Sequence, residues 1–145
     1  MYSFNFYEIL YKGLSGDTFG DRLKIERLRK GLSQSDLSIL SGIRRSDISI
    51  YELDSTFPTK NTLIKLGKVL DLNYICNEGY SKLIISDFSN KLKLWRIQNN
   101  YSIANACKYF YTDRSTYYKW EKGLFNISKD KYSSSKNLID SILNL

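Results

Sequence analysis

The chain has 145 residues, 42% of them apolar, and a net charge of +7. That length holds one average domain or two small ones, and the apolar share is too high for a disordered tail. Histidine is absent and Cys76 and Cys107 are the only cysteines, which argues against a zinc finger and against a disulfide framework.

The residues from Met1 to Phe6 show no basic n-region and no long apolar stretch, so no secretory signal is expected. No run of about 18 apolar residues predicts a membrane span. A cytoplasmic protein is the expectation. The basic balance suits a polyanion partner, although mild basicity is common and by itself moves the expectation little.

In chain order, Phe4, Tyr7, Leu10, Tyr11 and Leu14 have the spacing of a short amphipathic helix. Thr18 is placed to cap a helix beginning near Phe19, with Phe19, Leu23 and Leu28 on one face and Gly31 at its end. Ser33 caps a second helix, and Asp36 three residues on gives a capping-box pair. Leu37 and Leu40 are expected to face inward, and Gly42 to make a tight turn. A third helix is predicted from about Arg44 to Leu53, with Ile48 and Tyr51 inward. Pro58 and Thr59 introduce a fourth, carrying Leu63, Leu66, Val69 and Leu70. Residues 73–86 read as a connector, where Tyr, Ile and Cys are compatible with a small strand. Further helices are predicted at 87–99, 102–110 and 113–121, and a last one over 131–143 with Leu138, Ile139, Ile142 and Leu143. Cys107 reads as a small core residue.

A shift of 69 residues aligns Phe19 to Glu52 with Phe88 to Glu121 without a gap, and eight of 34 positions are identical. The identities are Phe19/Phe88, Leu23/Leu92, Lys24/Lys93, Arg27/Arg96, Ser33/Ser102, Arg45/Arg114, Ser46/Ser115 and Glu52/Glu121. The chain therefore reads as all-α, with one domain over 1–72, a connector over 73–86 and a second domain over 87–145. Each domain is expected to hold four to five short helices.

Two short helices joined by a tight turn, the second polar on its outer face, describe a DNA-reading helix-turn-helix. The run Gly31-Leu32-Ser33-Gln34-Ser35-Asp36-Leu37, followed by Ser41-Gly42-Ile43-Arg44-Arg45-Ser46-Asp47-Ile48-Ser49-Ile50-Tyr51-Glu52, resembles the phage Cro/C1 repressor family, also called the XRE family. The resemblance covers residues 19–72, with the motif at 33–52 and a degenerate copy at 102–121. It implies two tandem lambda-repressor-like domains that bind double-stranded DNA. In that family the glutamine opening the second helix touches the DNA backbone, and Gln34 matches it. Arg45, Ser46, Ser49 and Ile50 match its base-reading positions. Arg27 and Glu52 match a structural ion pair of the family, and Arg96 and Glu121 repeat it. Arg44 and Arg45 read either as a solvated pair or, within this motif, as phosphate and base contacts.

The second copy departs from the pattern. Ile103 replaces Gln34, Tyr111 replaces Gly42 and Thr112 replaces Ile43. Its reading positions are Arg114, Ser115, Tyr118 and Lys119. Tyr117 and Trp120 are expected in the core, and Asp47 and Asp113 read as helix caps or base discriminators. The weaker copy is the more basic: residues 1–72 hold 11 basic and 9 acidic residues, residues 73–145 hold 11 and 6.

No catalytic constellation is visible, so no enzyme, cofactor, metal site or small-molecule ligand is expected. The expected function is a sequence-specific regulator that represses by blocking promoter access. The rival is a helix-turn-helix module that binds protein, as an antagonist of a regulator or an inhibitor of a defence enzyme. An antitoxin-like autorepressor is a third reading. Leu138, Ile139, Ile142, Leu143 and Leu145 suggest a homodimer surface, or else they close the second core.

Overall fold

Residues 13–145 are described by a computed structural model, and every regular element among them is helical. The chain divides into two units between Asn77 and Glu78. Phe4, Tyr7, Leu10 and Tyr11 of the expected N-terminal helix lie outside the described residues, and Leu14 is half-buried without helical structure.

The first unit follows its caps. Helix α1 (Phe19–Arg29) starts where Thr18 accepts a hydrogen bond from the Asp21 amide, and α2 (Gln34–Ser41) starts at a complete Ser33–Asp36 capping box. Gly42 ends α2 in the left-handed region, with φ at 77°. Helix α3 (Arg45–Glu52) follows, then α4 (Lys60–Gly67), capped by Thr59, and a single turn α5 (Leu72–Ile75). Leu23, Leu37, Ile48, Leu63, Leu66 and Ile75 are fully buried and form the core. Buried Arg22 and Glu26 on α1 tie down the end of the unit: Arg22 Nε donates to the Ile75 carbonyl and Glu26 Oε2 accepts from the Asp71 amide.

In the second unit, α6 (Gly79–Ile85) precedes the repeat. There follow α7 (Phe88–Gln98), α8 (Ile103–Ala106) with a 3₁₀ turn (Cys107–Phe110), α9 (Arg114–Glu121), α10 (Lys129–Ser134) and α11 (Lys136–Leu143). The core gathers Leu92, Phe110, Tyr117, Trp120, Ile139 and Ile142, with Cys107 among them. Lys91, at the place of Arg22, donates to the Leu143 carbonyl and again holds the end of the last helix.

The 69-residue offset holds in the backbone. Helices beginning at Phe19, Gln34, Arg45 and Lys60 recur at Phe88, Ile103, Arg114 and Lys129. Three left-handed positions also recur: Gly31/Asn100, Gly42/Tyr111 and Asp54/Gly123. So does the ion pair. Arg27 makes two 2.8 Å bonds to Glu52 and donates to the Leu32 carbonyl. Arg96 bonds Glu121 at 2.6 and 3.3 Å and donates to the Tyr101 carbonyl.

Several expectations change. Leu40 is exposed, because the inward position one turn after Leu37 is filled by Ser41, whose hydroxyl returns to the Leu37 carbonyl. Tyr51 is only half-buried. The single helix expected over 131–143 breaks at Ser135, where the Ser133 and Ser134 hydroxyls bond carbonyls within α10. Within residues 73–86, whose composition is compatible with a small strand, helices form instead: α5 closes the first unit, and α6 puts Leu83 into the second core while Tyr80 donates to the Ile127 carbonyl. Ile139, Ile142 and Leu143 close the second unit's own core, and Leu145 is exposed.

The Arg27–Glu52 side chains are 7% and 4% exposed, those of Arg96–Glu121 18% and 4%. Removing one partner of a buried pair strands the other charge, at a cost of about 3–5 kcal/mol. Arg27→Ala should lower stability by about that amount, and Arg96→Ala by less, since its pair is looser and wetter. Urea denaturation of the two variants measures the difference. Unchanged midpoints would contradict the role given to the pair.

Candidate nucleic-acid interface

Helix α3 sets its outer face by what it buries. Ile48 and Glu52, one turn apart, point inward, which leaves Arg45 with Ser49, and Ser46 with Ile50, on the outside. Arg45 and Ser46 are exposed, Ser49 and Ile50 half-buried. Arg44 is the N-cap residue but makes no side-chain cap; its Nε lies 3.1 Å from an Asp47 carboxylate oxygen. Asp47 is therefore tied to Arg44. The Arg44 side chain is 82% exposed, so the pair is weak and readily exchanged for another anion.

An open groove runs beside this face. Lys24 and Arg27 from α1, Ser33, Gln34 and Ser35 at the start of α2, and Arg45 from α3 line it together with Leu28. Arg27 is already committed to Glu52 and the Ser33 hydroxyl to the Asp36 amide, so Lys24, Gln34, Arg45 and the exposed Ser35 hydroxyl are the polar groups there that can meet a ligand. Amide donors, two cations and a helix start converge, which suits an oxyanion. Asp36, in the first turn of α2, uses its carboxylate on the Ser33 amide, and the Ser33 bonds hold its carboxyl below the usual aspartate range. Sequence reasoning missed Lys24. The available signal was its identity with Lys93 at a position not needed for either core.

In the second unit Asp113 caps α9, accepting from the Thr116 amide at 2.7 Å and its hydroxyl at 3.1 Å. Arg114 and Ser115 are exposed at the helix start. Tyr118 is exposed, with Lys122 over its ring at 5.4 Å. Lys119 is half-buried and sits over the Phe125 ring at 5.0 Å. Ile103, at the place of Gln34, packs on the core, so the amide of the first groove has no counterpart. Tyr117 fills the place of Ile48; burial pushes its hydroxyl pKa up, beside Glu121. Hydrogen bonding to Glu121 raises that of Arg96.

Among the described residues no group of three or more His, Cys, Asp or Glu side chains is arranged to hold a metal ion, and no helix is long and apolar enough to cross a membrane. Compared with protein-family models, curated proteins and solved structures, the chain matches none.

The Asp113 cap gives a pH test. The Thr116 bonds favour the carboxylate and hold its pKa below the ordinary 3.8. A depressed folded-state value means stability that is present above pH 3.8 and is lost as pH falls through the lower value. Asp113→Ala should therefore lower the melting temperature at pH 7, and the gap to the parent should close on acidification below that value. A gap that stays constant with pH would remove the charged cap from the account.

Proposed function

We propose that the chain binds double-stranded DNA sequence-specifically through two tandem helix-turn-helix units of the Cro/C1 type, and that it acts as a transcriptional repressor without enzymatic activity. The observation that carries this reading is the groove where Lys24, Gln34 and Arg45 meet at the start of α2, directly beside an outward polar face on α3. Phosphate contacts set register and base contacts set sequence, and the two need adjacent surfaces. Lys24 and Gln34 supply the first. Arg45 and Ser46 supply the second, with Ser49 and Ile50 one turn on; Ile50 is suited to a thymine methyl. Release of Arg44 from Asp47 adds a further phosphate contact.

The second unit contributes Arg114, Ser115, Tyr118 and Lys119. Without the Gln34 amide it is the weaker reader. Two linked weak sites still bind far more tightly than either alone, through effective concentration. A homodimer would have to form through another surface than the C-terminal apolar helix, whose buried residues serve the second core.

Protein binding is the second reading, and one observation favours it. Ile39 is 81% exposed and Leu40 stands beside it on the outer side of α2, away from the proposed reading face.

Selection of binding sites from random duplexes tests the proposal. An enriched motif is expected, and none at moderate salt would favour the protein-binding reading. Arg45→Ala should then cost about 1–3 kcal/mol at one base pair of that motif. Replacing Lys24 and Gln34 together should instead weaken all duplexes alike, and the single cation lost should make the slope of log K against log salt shallower by roughly one. Replacing Arg114 and Lys119 by alanine should shorten the protected footprint.

A further inference from the structure

We propose that the second unit carries a separate stacking site for an unpaired nucleobase on α8 and the 3₁₀ turn, and so binds single-stranded nucleic acid as well as duplex. Tyr101, Asn105, Lys108, Tyr109 and Tyr111 line an open groove there. None of them belongs to the proposed reading face.

The groove is built before any ligand arrives. The Tyr101 and Tyr109 rings stack with centroids 4.9 Å apart at 26°, and their hydroxyls are hydrogen-bonded at 2.9 Å. Trp95 backs both rings edge-on, at 5.5 and 5.8 Å. Rings fixed in this way lose little freedom on binding.

Tyr111 is the second observation. It holds a left-handed backbone, φ 52°, at the turn where the first unit has Gly42, and it is 82% exposed. A bulky side chain is disfavoured in that region, and an exposed ring gains too little packing to offset the strain. The turn is held from beneath instead: Lys131 Nζ donates to the Phe110 and Tyr111 carbonyls. A strained turn that keeps an aromatic ring in solvent points to a ligand for that ring.

Charge selects the ligand. Residues 78–145 hold 11 basic and 6 acidic residues, Lys108 stands in the groove, and no acidic side chain lines it. The matching positions of the first unit are Leu32, Asp36, Ile39, Leu40 and Gly42: no ring, and a carboxylate where the second unit has Asn105. Aromatic faces with a cation suit a base and its phosphate. Duplex bases do not offer their faces, so the occupant is a single strand. An uncharged apolar partner would have no use for the lysine.

The test is fluorescence anisotropy of the full chain with a labelled single-stranded thymidine dodecamer, and with a duplex of equal length. Tyr111→Gly relieves the strained turn, so the variant folds at least as well as the parent. Its affinity for the single strand should fall about fivefold to a hundredfold, the usual range for loss of one base stack, with duplex affinity unchanged. Lys108→Ala should make the single-strand salt slope shallower by roughly 0.7. Three results would overturn the proposal: no single-strand binding at tens of micromolar, equal binding by Tyr111→Gly, or single-strand binding abolished by Arg45→Ala and Arg114→Ala but untouched by Tyr111→Gly and Lys108→Ala. Failure of the duplex proposal reads differently, as loss of duplex selectivity while the response to Tyr111→Gly persists.

Discussion

A guanidinium paired with a buried glutamate organises each unit, buried in the first and partly exposed in the second. Arg27 reaches from α1 to Glu52 at the end of α3 and to the Leu32 carbonyl just before α2. One planar, rigid group thus fixes the three elements that form the groove and its neighbouring face. A buried pair of this kind is weak evidence of net stability, since a well-packed apolar substitute often does as well. What it supplies is direction: the donors leave the guanidinium at set angles, so α3 can meet α1 in one orientation only. Gly20 reinforces that closeness, because a β-carbon there would come within 2.5 Å of the Glu52 carbonyl oxygen.

Much of this was legible in the sequence because it depends on local chemistry. Thr18, Ser33 and Thr59 each bond the amide three residues on, and a cap can be read without knowing what the helix packs against. The ion pair was legible for another reason, the persistence of Arg27/Arg96 and Glu52/Glu121 in a repeat that keeps few identities. What stayed hidden depends on tertiary neighbours. Leu40 and Ser41 compete for one inward position, and residue type favours leucine; the geometry of α2 against α3 gives the place to serine. The connector carries no strong periodicity, and its helices are set by the cores they enter through Ile75 and Leu83. At the candidate site, residue types and positions were legible, but pairings were not. That Arg44 turns to Asp47 and Lys119 to Phe125 follows from rotamers, which spacing does not determine.

The two units also show how one backbone tolerates different side chains. Where the first has Gly20 on the helix and Asp54 in the turn, the second has Ser89 and Gly123, so the small residue has changed sides of the same contact. There a β-carbon on Gly123 would lie 3.4 Å from Ser89 Oγ. The second half of α2 becomes a 3₁₀ turn at Cys107–Phe110, and Phe110 occupies the place of Ser41. Its ring packs against Trp95, Tyr117 and Trp120 at 5.6 to 5.9 Å. An aromatic core has replaced an aliphatic one while the helix starts keep their register.

That contrast bears on whether the second unit is a decayed copy. Decay removes what selection no longer holds, and the ion pair, the caps at Ser33 and Thr59 (Ser102 and Ser128 in the second unit) and the left-handed turns would be lost with the surface. They are kept. The core is repacked with aromatic rings, and the side chains on and after α8 change as well: Gln34 gives way to Ile103, Asp36 to Asn105, Leu40 to Tyr109 and Gly42 to Tyr111. The exchange of glycine for tyrosine runs against backbone preference. A drifting surface does not readily accumulate a change that costs stability, whereas a binding surface can retain one. The second unit is better understood as the same scaffold turned to a different surface chemistry.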